Sequence, residues 1–90
     1  MARAKLLPSA FLPSLVLKHP YPLGGPFYMI EGTTDPGATV TINDEDVEVE
    51  NGHFKKLVSF NKIGRNAVVV KAVNASGKAQ VQSVSVVVEE

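Results

Sequence analysis

Ninety residues leave room for one domain, and an apolar fraction of 44% is ordinary for a chain that buries a modest core. Nine basic and nine acidic residues cancel, which argues against general nucleic-acid binding, since that needs a net positive field. No cysteine is present, so disulfides, thiolate nucleophiles and cysteine zinc sites are excluded, and no apolar run reaches the roughly 18 residues of a helical membrane span.

Residues 1–13 contain Pro8 and Pro13 and show no sustained period. They read as an extended apolar lead-in or linker to a domain over 14–90. Met1-Ala2-Arg3-Ala4-Lys5-Leu6-Leu7 imitates the start of a secretory signal, but prolines and serines interrupt its apolar stretch and no clean cleavage site follows. Leu6, Leu7, Phe11 and Leu12 are too apolar for an idle tail, so they are expected to dock on the domain or on a neighbour.

The first short strand is expected over 15–18, stopped by Pro20-Tyr21-Pro22 and the Gly24-Gly25-Pro26 turn. Residues 27–31 form the second strand, apolar on both faces. Pro36-Gly37 then has the chemistry of a type II turn: proline presets φ at one position and glycine supplies positive φ at the next. Residues 39–43 alternate polar and apolar as a third strand, and a polar turn at 43–45 leads into a fourth over 46–50. Asn51-Gly52 is the strongest hairpin signal, because both residues tolerate the positive φ of a type I′ turn.

The fifth strand, 53–60, holds a conflict: Phe54, Val58 and Phe60 share one parity, yet Lys56 stands among them. A bulge would resolve it, as would a place at the sheet margin that lets the ammonium reach water. Residues 61–65 turn the chain into a central strand over 66–74 carrying Val68-Val69-Val70, and 74–77 turn it into the last strand, 79–88. No segment has a helical period. The sequence therefore predicts an all-β, antiparallel β-sandwich of about seven strands. Its expected core is Leu15, Leu17, Tyr28, Ile30, Val40, Ile42, Val47, Val49, Phe54, Val58, Phe60, Val68, Val70, Ala72, Val84 and Val86.

Ile30-x-Gly32, Pro36-Gly37-Ala38-x-Val40-x-Ile42-Asn43, Asn51-Gly52-x-Phe54, Val58-x-Phe60, Gly64-x-Asn66 and Asn74-x-x-Gly77-Lys78 occur in this order. The set resembles the bacterial immunoglobulin-like domains of the glucodextranase B-domain type, over nearly the whole chain. Phe60 departs from the family, which more often has leucine there. The resemblance implies a spacer or accessory domain of a cell-surface, secreted or membrane-anchored bacterial protein, hence an extracytoplasmic location. It also gives Gly64 and Asn66 a structural role: a loop between opposite sheets needs a residue at positive φ and an amide that satisfies exposed backbone groups.

Candidate chemistry is sparse. His19 and His53 are the only histidines and hence the only candidates for acid–base work at neutral pH, and no nucleophile elbow or phosphate-cradling glycine loop accompanies them. No enzyme and no cofactor is expected. The acidic set Asp44, Glu45, Asp46, Glu48 and Glu50 reads as a solvated face that protects a strand from foreign pairing. Calcium held by Asp44, Glu45 and Asp46 is the alternative, although the spacing is not that of an EF-hand. Asn74-Ala75-Ser76 fits a glycosylation acceptor and equally a hairpin tip.

The surplus is apolar: Phe27, Met29 and Leu57 fall on the outward parity of neighbouring strands, and Ala67, Val69 and Val73 do so on the opposite sheet. Phe27, Met29 and Leu57 are the expected interaction patch, covered by residues 6–12 of the same or a neighbouring chain. The expected function is a non-catalytic spacer or protein-interaction module whose partner is a neighbouring domain or another protein. The alternative is a carbohydrate-associated accessory domain of a secreted glycoside-processing enzyme; Tyr21, Phe27 and Tyr28 are the nearby aromatic residues, but Tyr28 is expected in the core. Neither nucleic acid nor membrane insertion by this segment is expected.

Overall fold

A computed structural model describes residues 12–89. The elements, in chain order, are β1 (Leu15–Leu17), β2 (Tyr21–Pro22), β3 (Phe27–Thr34), β4 (Thr39–Ile42), β5 (Glu45–Val47), β6 (Val49–Glu50), β7 (His53–Ser59), β8 (Gly64–Val73) and β9 (Ala79–Val88). One sheet runs β1-β3-β7-β6, with β2 also paired to β3; the other runs β5-β4-β8-β9, and every pairing is antiparallel. With β2 and β5 set aside, the orders β1-β3-β7-β6 and β4-β8-β9 are those of a seven-stranded immunoglobulin sandwich; β2 is added beside β3 and β5 beside β4.

Two differences account for nine strands where the sequence suggests about seven. Tyr21-Pro22 does not simply end a strand. It pairs with Met29 and Tyr28, which a proline tolerates at a sheet edge where its missing N–H faces out. The single strand expected over 46–50 is split: β5 pairs with β4 and β6 with β7, so the chain changes sheets at the exposed Glu48. Local alternation is continuous through that point and carries no mark of the crossing.

The turns behave as their residues dictate. Ala38 N–H donates to Asp35 O at 3.1 Å with Gly37 at φ +87°, and this turn carries the chain from β3 in one sheet to β4 in the other. Asn51 and Gly52 both have positive φ, and the Gly52 carbonyl accepts the Thr34 N–H at 2.7 Å. A Cβ on Gly52 would stand 2.5 Å from the Thr34 carbonyl oxygen, so this hairpin is pinned to β3 as well as turned.

Between the sheets lie Leu15, Ile30, Val40, Ile42, Phe54, Phe60, Val68, Val70, Ala72, Val86 and Val88, with Leu17, Tyr28, Val47, Val49, Val58 and Val84 packed against them. Every residue of the expected core is in this cluster; Val88 is the addition. The Lys56 conflict has a plain resolution. β3 and β7 pair without a bulge from Phe27↔Ser59 to Thr33↔His53, so Lys56 does point inward between Phe54 and Val58. It lies at the open margin, and its Nζ reaches Glu45 Oε1 of the other sheet at 3.3 Å.

Candidate interaction surface

Residues directly paired across an antiparallel ladder share a face. Tyr21 pairs with Met29 and Met29 with Leu57, so the three form one row across β2, β3 and β7 on the outer side of the sheet. Phe27, two residues from Met29 on β3, has the same parity. Tyr21 is 65% exposed, Leu57 52% and Phe27 43%, while Met29 lies half-buried among its neighbours. The next row along the sheet is charged: Lys18 Nζ lies 3.3 Å from Glu31 Oε2, and Lys55 is the register partner of Glu31. An aromatic and thioether centre bounded by charge has the composition of a protein contact.

Phe27, Met29 and Leu57 are thus gathered on one face. Tyr21 completes the row, and sequence reasoning missed it by treating it as part of a strand-breaking cluster. The Gly24-Gly25 turn held the signal: it folds Tyr21 back on β3, with Leu23 N–H bonded to Phe27 O at 2.9 Å. On the opposite sheet Ala67 and Val69 are exposed and Val73 is half-buried. Their register partners on β9 are Ser85, Ser83 and Ala79, so that face is flat and small-featured, without an aromatic centre.

Leu12 is the first residue described; the remainder of the 6–12 segment expected to cover the patch lies outside the described residues. Its point of entry is defined, however. Ser14 N–H and Oγ–H both donate to the Asp35 carboxylate, at 3.2 and 2.9 Å. Asp35 is six residues beyond Met29, about 20 Å at a strand rise of ~3.3 Å per residue, so the described chain enters the sheet well away from the patch.

The three carboxylates considered for calcium diverge. Asp44 occupies a positive-φ turn position, Asp46 pairs with Thr41 on the outer face, and Glu45 pairs with Ile42 and turns inward to Lys56. Among the described residues no three His, Cys, Asp or Glu side chains converge on a point that would hold a metal. His53 is exposed beside its register partners Thr33 and Glu50, whereas His19 is exposed beyond the end of β1. A concavity of about 550 Å³ beside His53 is lined mainly by charged groups, including Glu31, Glu48, Glu50 and Lys55. It contains no hydroxyl or thiol nucleophile.

The turn residues are scaffold. Gly64 has φ +100°, and the Asn66 amide donates to Lys62 O at 2.9 Å and Gly64 O at 3.2 Å. Asn74 Oδ1 accepts the Ser76 and Lys78 N–H groups, both at 3.0 Å, within its hairpin. Asn43, expected at the end of the third strand and the start of the turn, prolongs β4 with its side-chain amide: Oδ1 accepts Val69 N–H at 2.8 Å and Nδ2 donates to Ala67 O. Tyr28 packs against the core, as expected. Its ring meets Phe60 edge-on at 6.0 Å, and its hydroxyl donates to Val87 O.

Neither the known protein-family models nor the curated proteins include a match to this chain.

Proposed function

We propose that this chain is a non-catalytic module of the glucodextranase B-domain type, a spacer or interaction unit of an extracytoplasmic bacterial protein. It docks a neighbouring domain or partner protein through Tyr21, Phe27, Met29 and Leu57. The observation that supports this reading is the exposed apolar row across β2, β3 and β7, bounded by Lys18, Glu31 and Lys55. The motif residues shared with that family, among them Gly37, Gly52, Gly64 and Asn66, are occupied by turn geometry and backbone bonding. No chemistry is asked of them.

The test is amide hydrogen exchange on the chain alone and on the chain carried within its parent polypeptide. Attachment is expected to protect the amides around Tyr21, Met29 and Leu57. Leu57→Glu is expected to abolish that protection while changing stability by less than about 0.5 kcal/mol, as exposed substitutions usually do. Protection confined to another face, or none at all, sinks the reading. A glycan site is the second reading, favoured by the two exposed rings Tyr21 and Phe27 on one face. It requires saccharide binding on an array that Tyr21→Ala removes.

A further inference from the structure

The sandwich has several sheet margins, and they are not protected alike. β1, β2, β5 and β6 are two or three residues long. β5 also carries Glu45 and Asp46, with Asp44 and Glu48 flanking it. Short length and charge are the usual means of keeping an edge from pairing with another chain. β9 has neither. It is ten residues long, Ala-Gln-Val-Gln-Ser-Val-Ser-Val-Val-Val, without charge, proline or glycine.

The bonding pattern shows which of its groups are free. Val87 O accepts the Tyr28 hydroxyl from the other sheet, so Val87 directs its main chain away from β8. The same parity holds on β8, where the Val69 N–H and C=O are both spent on Asn43, on the β4 side. Its register partner Ser83 is therefore not bonded to it. By alternation, Ala79, Val81, Ser83 and Ser85 all aim their N–H and C=O outward. None of these groups has a partner among the described residues. The contact with β1 comes from a side chain, Gln82 Nε2 to Leu15 O at 2.6 Å, and leaves this backbone edge untouched.

We propose that a second copy of this chain occupies that edge, β9 pairing with β9 antiparallel about a twofold axis and joining the two four-stranded sheets into one. Charge selects the occupant. An uncharged strand meets no like charge in any antiparallel register with itself, whereas self-pairing of β5 would set carboxylate against carboxylate. Because the Tyr28 hydroxyl takes the Val87 carbonyl, the free stretch is 79–85 and the axis falls at Gln82. This register sets Ala79 opposite Ser85 of the second copy, and Val81 opposite Ser83 of the second copy. The contact is separate from the Tyr21–Leu57 row.

Sedimentation velocity of the chain over a concentration series is expected to show a reversible monomer–dimer equilibrium. Ser83→Pro removes an outward N–H that the β8 ladder does not use, and should raise the dissociation constant about tenfold or more. Val81→Lys, which leaves the backbone intact, should act in the same direction should the proline variant fail to fold. Leu57→Glu should leave the dimer unchanged. With rising concentration the amides of 81, 83 and 85 should gain exchange protection while 82 and 84 do not change. A chain that stays monomeric, a dimer indifferent to both β9 variants, or one lost through Leu57→Glu overturns the proposal. So does protection of these amides only in the presence of another protein, which would assign the edge to a foreign strand.

Discussion

The two long sides of this sandwich are closed by different means. Along the β1/β9 side, neutral donors of one sheet reach main-chain carbonyls of the other: Tyr28 hydroxyl to Val87 and Gln82 amide to Leu15. Along the β5/β6 side the chain itself crosses from one sheet to the other at Glu48, and among the described residues one side-chain ion pair, Lys56 to Glu45, spans the gap. A covalent crossing needs little further help to hold two edges together. A side with no crossing depends on side chains that bridge it. The difference extends to the surface: the crossing side carries Asp44, Glu45, Asp46 and Glu48, while the bridged side presents a neutral strand whose outward backbone groups have no partner among the described residues.

The largest test of this contrast concerns how closely β1 can approach. A Cβ on the buried Gly32 would lie 2.5 Å from Val16 O and 2.7 Å from the Phe54 ring. Gly32→Ala is therefore expected to destabilise by about 1–3 kcal/mol through overpacking. In a domain of this size the melting temperature should fall by roughly 4–8 °C for each kcal/mol. An unchanged melting curve would mean that β1 is not held against β3 as described.

Tyr28→Phe should have a smaller effect. It keeps the ring on Phe60 and removes only the bond to Val87, a loss of about 0.5–1.5 kcal/mol by urea denaturation. No loss at all would show that this bridge does not help close the β1/β9 side. The least effect is expected on the crossing side. Glu45 is largely exposed, so Lys56→Met should change stability by less than about 1 kcal/mol, and less still in high salt. A loss above ~2 kcal/mol would reverse the comparison, making the ion pair rather than the crossing the element that closes that side.

Much of this molecule was legible in its sequence, because the signals concerned are local. Alternation set the inward parity of Val40, Ile42, Val68, Val70 and Val86, and all five are buried. Pro36-Gly37 and Asn51-Gly52 announced their turns because φ is a property of one residue and its side chain. The patch of Phe27, Met29 and Leu57 followed from the same parity. Its fourth member, Tyr21, did not, since a two-residue strand has no period to read.

What only the tertiary structure decided lies in pairings between distant residues. Glu48 looks like any outward position on one strand until Val47 pairs with Val40 and Val49 with Phe54. Lys56 breaks its pattern until Glu45, eleven positions earlier, is brought opposite it. The carbonyls of Ser14, Leu15 and Val87 carry no mark of the side chains that reach them from other strands. A one-dimensional pattern records which face a residue takes, since that depends on the backbone's own period. It does not record which edge meets which, since that depends on the closure of the whole sandwich.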